Sequence, residues 1–128
     1  MPIRISALYI ALHAALLMVL ALRVMLLRSR FKVRFGDAGE KDMIKAVRAH
    51  GNAAEYIPIA LLLLVACELN GGAVLLLHVC GGGLFASRLF HAWGIIKGRG
   101  RPLARFAGVT GTVLVIFVLI GANLRLLF

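Results

Sequence analysis

The sequence predicts an all-α integral membrane protein, a bundle of four transmembrane helices, and three observations carry that prediction. Hydrophobic residues make up 62% of the 128 positions and the mean hydropathy is +0.96, whereas a soluble domain holds about 45–50% apolar residues. A globule this small cannot hide so much apolar surface from water, but lipid can cover it. The apolar residues fall into four runs, each long enough at ~1.5 Å per residue to cross a hydrocarbon core of about 30 Å. Finally, 15 Lys and Arg stand against 5 Asp and Glu, a formal charge of +10, and the basic residues concentrate between apolar runs. In a soluble chain that charge would suggest nucleic acid. Here anionic headgroups and the positive-inside bias account for it, and the aromatic interleaving of a nucleic-acid stacking surface is missing. The predicted partners are membrane lipids, with no nucleic acid, and the length allows one domain over residues 1–128.

The first run, Ile5 to Leu27, reaches about 33 Å. It is too long for a signal-peptide core, lacks a small-residue cleavage site and leads directly into a basic segment, so it reads as a retained helix. Leu27 to Asp42 carries Arg28, Arg30, Lys32 and Arg34, then Gly36-Asp37 as a turn signal. Asp42 suits the N-cap or first turn of a second helix, which continues to Leu69. That helix starts amphipathic, with Ile44 and Val47 beside Lys45 and Arg48, turns apolar from Ala53, and carries Pro58, where a kink is expected. Asn70-Gly71-Gly72 is a tight turn without a basic residue. The third helix spans Ala73 to Ile96, and its Gly81-Gly82-Gly83 run permits close helix approach in a membrane. Lys97-Gly98-Arg99-Gly100-Arg101-Pro102 is the second basic loop. Pro102 suits a helical first turn, and the fourth helix runs from Leu103 to Leu127 with Gly108, Gly111 and Gly121 as small packing positions. The two basic loops are predicted to face the cytoplasm and both termini the other side.

Polar residues inside these helices are the candidates for chemistry. Arg48, Asn52 and Glu55 stand at i, i+4 and i+7 and share a helical face. Glu55 lies in the apolar zone, where a lone carboxylate is costly and points to a ligand or an ionic partner. A structural cluster that pins helix packing is the equally supported alternative. On the third helix Arg88 and His91 fall at i, i+3. Arg88 could snorkel to the headgroups, but Glu55 sits at a similar depth, and together they predict an Arg88–Glu55 pair. His91 is a candidate ligand donor or a satisfied packing histidine, while His13 and His78 read as structural. Arg101 and Arg105, one turn apart, can bind a carboxylate or stabilise a thiolate, or can simply face headgroups. Cys67 and Cys80 lie in apolar runs and read as buried thiols, with an interhelical disulfide left open. No histidine or cysteine spacing suggests a metal.

The stretch Arg48-Ala49-His50-Gly51-Asn52-Ala53-Ala54-Glu55-Tyr56-Ile57-Pro58 resembles the helix-two signature of the membrane-associated proteins in eicosanoid and glutathione metabolism, the MAPEG family, and the resemblance extends over all four helices. It is nearest to small bacterial members and implies a bacterial inner-membrane location. It further implies a homotrimer with glutathione as co-substrate at each subunit interface near the cytoplasmic side. On this resemblance Arg48, Asn52, Glu55 and Tyr56 contact the tripeptide, Arg88 and His91 match the family's helix-three Arg-x-x-His, and Arg105 matches the arginine that stabilises the glutathione thiolate. Arg101 precedes it in the same register, and Arg28 or Arg30 reaches a glutathione carboxylate of a neighbouring subunit. The departures are Ile95 where several family enzymes have tyrosine, with Trp93 nearby but lacking a hydroxyl, Phe106 where one branch has serine, and a one-residue difference in the loop before Arg105. The implied activity is a transferase or peroxidase acting on lipophilic electrophiles. A non-catalytic glutathione- or lipid-binding trimer is the alternative. A small multidrug-type exporter also has four helices and a buried glutamate, but it requires an acid on the first helix, which here has none.

Overall fold

The computed structural model describes residues 2–97 and 102–128. Its four helices are α1 (Arg4–Phe31), α2 (Lys41–Leu69), α3 (Val74–Lys97) and α4 (Pro102–Leu127), and all four are long and apolar enough to span a bilayer. Helices α2 and α3 form the centre of the bundle, each packing on the other three elements, while α1 and α4 flank them without touching among the described residues. Leu8, Met18, Val19, Leu62, Leu75, Val79, Phe117 and many other apolar side chains are exposed, which is the surface that lipid or another copy must cover.

The bundle has two ends. At one, here the basic end, the end of α1, the α1–α2 connection, the end of α3 and the start of α4 gather most of the described cationic residues; at the far end lie the Asn70 turn, the start of α1 and the end of α4. Two apolar clusters divide the interior accordingly. Tyr9, Leu64, Cys67, Leu77, Cys80 and Leu119 fill the far half, and Leu16, Leu20, Ala49, Ala53, Ile57 and Ala92 the basic half. Cys67 and Cys80 are free, buried thiols.

Helix α1 runs a turn beyond the predicted Leu27, so Arg28 and Arg30 are helical rather than in the loop. The reason is local. The Val33 N–H donates to the Arg28 carbonyl at 3.0 Å and the Lys32 N–H to that of Ser29 at 3.4 Å, with Lys32 in the left-handed position at φ 55°. This closes the helix as a Schellman motif and leaves two cations on its negative dipole end. The same closure ends α2: Gly72 donates to Cys67, Gly71 to Glu68, and Gly71 takes φ +82°, a conformation that favours glycine. Asp42 lies in the first turn of α2, where it pairs with Lys45 at 3.8 Å, while Glu40 holds the capping position without a side-chain bond. Pro58 sits inside a continuous α2.

Small residues set how closely the helices meet. A Cβ on Gly81 would run into the Tyr9 ring, so the glycine is the slot in α3 that receives α1. Along the α3–α4 seam, a Cβ on Gly108 would lie 2.6 Å from the His91 backbone, one on Gly94 2.6 Å from the Arg105 backbone, and one on Gly111 would strike the Ser87 hydroxyl. Gly121, expected as another packing position, meets nothing within 4 Å.

Candidate functional site

The buried stripe of α3, Leu77, Leu84, Arg88 and His91, follows helical periodicity. It therefore carries a guanidinium into the basic half of the bundle, and Arg88 is only 1% exposed. Arg88 does not snorkel. One terminal nitrogen donates to the Asn52 Oδ1 on α2 and the other to the Thr112 hydroxyl on α4 at 3.4 Å, and Thr112 donates in turn to the Gly108 carbonyl at 2.8 Å. The Tyr56 ring centroid lies 5.8 Å from the guanidinium carbon. Neutral acceptors and a π face thus hold the cation, and one side chain ties α2, α3 and α4 together. The Arg88 Nε has no partner among the described residues.

The expected Arg88–Glu55 pair is absent. Asn52 takes the guanidinium because it faces inward between α2 and α3, whereas Glu55, one turn farther along α2, stays exposed and makes no ion pair with a described residue. Arg48 is exposed as well, and Tyr56 is half-buried.

One turn beyond Arg88, His91 is 3% exposed. Its Nδ1 lies 3.1 Å from the Arg105 carbonyl. A carbonyl can only accept, so Nδ1 carries the proton and Nε2 of the neutral ring is bare; Nε2 is buried without a partner. Arg105 itself has its side chain exposed at the start of α4.

Other candidates lie apart. Arg28 is half-buried and donates to the Gly36 carbonyl at 2.9 Å, in the connection that follows α1. Arg30 sits over Phe31, 5.6 Å from the ring centroid. Arg101 lies outside the described residues. Ile95, at the tyrosine position, packs on the Leu16–Leu20 cluster, and Trp93 and Phe106 are exposed. Sequence reading passed over Thr112, although Arg105, Gly108 and Thr112 at i, i+3 and i+7 share a face of α4 and mark the seam that reaches Arg88. It also passed over Gly94, whose missing side chain admits the Arg105 backbone. Chemically, the basic end presents guanidinium groups and the exposed carboxylate of Glu55 around a buried donor–acceptor set. This composition suits a small ligand that carries carboxylates and an ammonium.

A sequence model described as the MAPEG family matches residues 6–125. The inner membrane protein YecN of Escherichia coli is 40% identical over 120 residues, which cover 94% of this chain and 90% of YecN. YecN from a second Escherichia coli strain matches to the same extent.

Proposed function

This chain belongs to the MAPEG family, and from that premise we propose that it is a glutathione-dependent transferase or peroxidase acting as a homotrimer in the bacterial inner membrane. The observation that carries the reading is the basic end of the bundle. Arg48, Glu55 and Arg105 are exposed there, beside the buried Arg88–Asn52 pair and His91. An unpaired carboxylate on the outer face of a membrane helix is costly. A second copy packed on that face, together with a bound ligand, would remove the cost.

In this reading Glu55 receives the ammonium of glutathione. Arg48, and Arg28 with Arg101 at the loop ends, take its carboxylates. Asn52 and Tyr56 complete the cradle, and Arg88 holds Asn52 in place. Arg105 lies over the thiol. A nearby guanidinium lowers a thiol pKa from about 8.5 and favours the thiolate, which is the nucleophile. The thiolate then forms a sulfur–carbon bond with an electrophile from the bilayer, whose leaving group departs with the electron pair. Alternatively, it attacks the terminal oxygen of a hydroperoxide: a sulfur–oxygen bond forms, the oxygen–oxygen bond breaks and the alkoxide leaves as the alcohol once protonated, after which a second glutathione attacks the resulting sulfenic acid and releases water to give the disulfide. Both basic loops face the cytoplasm, where glutathione is supplied. The half-buried Ile95 at the family's tyrosine position favours a second reading, a trimer that binds glutathione or lipid without turnover.

Thiolate absorbance during glutathione titration of the detergent-purified protein tests the proposal. The expected result is a thiolate signal that disappears in Arg105→Ala while binding persists. Binding without thiolate would favour the second reading, and no binding at millimolar glutathione would end both.

A further inference from the structure

We infer that the segment from Arg30 to Phe35, at the end of α1 and the start of the connection that follows it, is a binding site for anionic phospholipid. Phe35 enters the bilayer surface, and Arg30, Lys32 and Arg34 take the phosphates of the headgroups around it. This site is separate from the proposed glutathione cradle, and Arg28 is not part of it. From Arg28 to Phe35 the chain reads Arg-Ser-Arg-Phe-Lys-Val-Arg-Phe, four cations and no acid. After Ser29, cationic and apolar residues alternate. The three cations of the site are exposed, while Phe31 and Val33 are half-buried. Phe35 is bare: it is 89% exposed, exceeded among the described large apolar residues only by the terminal Phe128.

The depth of the segment selects the partner. Helix α1 has 28 residues and so measures about 42 Å, against about 30 Å of hydrocarbon. Its apolar run ends at Leu27, which puts the turn from Arg28 onward among the headgroups. The chain does not run on from there into water. Lys32, at φ 55°, reverses it in the Schellman closure. Arg28 then donates to the Gly36 carbonyl at 2.9 Å, so the connection folds back on the last turn of α1. That bond holds Phe35, the neighbour of Gly36, close to the headgroup level. An apolar ring there leaves water for the boundary of the acyl chains, and the basic side chains beside it remain at the phosphates. Each basic residue next to an anionic membrane surface strengthens the attraction by about fivefold. The acids that follow leave these cations free. Asp37 accepts the Gly39 N–H at 2.9 Å in the turn towards α2, and neither Asp37 nor Glu40 pairs with Arg30, Lys32 or Arg34.

Lipid selectivity of the full chain in phosphatidylcholine bilayers provides the test, read by electron spin resonance with trace spin-labelled phosphatidylglycerol or phosphatidylcholine. The parent should hold the anionic label in preference to the zwitterionic one. In Arg30→Gln/Lys32→Gln/Arg34→Gln that preference should fall by at least about threefold. Arg4→Gln/Lys41→Gln/Arg125→Gln removes the same charge elsewhere and should keep it. Equal loss in the two triple variants, or no preference in the parent, would overturn the inference. Insertion of the ring is read separately. Trp93→Phe removes the single tryptophan of the sequence, and in that background Phe35→Trp places an indole at the tip of the segment. Its emission should be blue-shifted in phosphatidylglycerol bilayers and quenched by lipid brominated on the acyl chains near the headgroup. Emission at the wavelength of a water-exposed indole would overturn the inference. So would blue-shifted emission that brominated lipid leaves unquenched, the result expected if another copy of the chain covers Phe35.

Discussion

The two ends of the bundle use polar residues in opposite ways. At the far end polar groups are spent on the backbone. Glu68 on α2 accepts the N–H groups of Ile5 and Ser6 at 2.9 and 2.7 Å, and so serves as the missing cap of α1, whose own Ile3 offers no side chain for it. The Tyr9 hydroxyl donates to the His78 carbonyl at 3.1 Å and lies 3.0 Å from its Nδ1, and Asn123 on α4 donates to the Leu63 carbonyl of α2 at 3.0 Å. Each contact joins two helices, and together they link all four. At the basic end Arg88 links three helices, but Arg48, Glu55 and Arg105 remain exposed, and the Arg88 Nε and His91 Nε2 have no partner among the described residues, as Ser6 Oγ has none at the far end. At the far end the Glu68 carboxylate is taken up by its own chain and holds the fold; at the basic end the Glu55 carboxylate is not, which supports the proposed ligand there.

The largest expected break in this contrast comes from Arg88→Ala. It removes a fully packed side chain and leaves the Asn52 carbonyl oxygen without its donor, which should cost about 2–4 kcal/mol of stability, read as a lower thermal midpoint in detergent, and abolish ligand binding as well. Gly94→Ala ranks next. It forces α3 and α4 apart at Arg105, with about 1–3 kcal/mol of overpacking, and should suppress the thiolate signal more than glutathione affinity. A matching fall in both would show that the seam has no special bearing on Arg105. At the far end Glu68→Gln keeps one acceptor oxygen but loses its charge on the α1 dipole, at about 1 kcal/mol. Its thermal midpoint should drop while glutathione binding stays at the parent value. Gly121→Ala sharpens the comparison as a control. Its Cβ meets nothing, so the gain in helix propensity, of up to about 1 kcal/mol, is unopposed.

Much of this was legible in the sequence, and the reasons differ by residue. The four spans follow from hydropathy alone, because lipid imposes a length that the apolar runs must meet. Their ends were less certain: α1 outran its predicted limit because a Schellman closure depends on backbone angles at Lys32 that no glycine announced. Arg88 and His91 declared themselves by lying at i, i+3 within an apolar helix, but their partners did not. Asn52 rather than Glu55 meets Arg88 because of how α2 is turned, a property set by packing. Glu68, Tyr9 and His78 form contacts 62 to 69 residues apart in the chain, and local patterns carry no trace of such distant pairs. Thr112 was hidden for the same reason.

The most direct test of the account places the ligand at one end. Glutathione binding would be measured by calorimetry on Arg48→Ala and Glu55→Gln from the basic end and on Glu68→Gln and His78→Ala from the far end, each confirmed as folded by its thermal midpoint. The account predicts that the first pair loses at least about tenfold in affinity and that the second pair binds like the parent. Equal losses at the two ends, or loss confined to the far end, would contradict it.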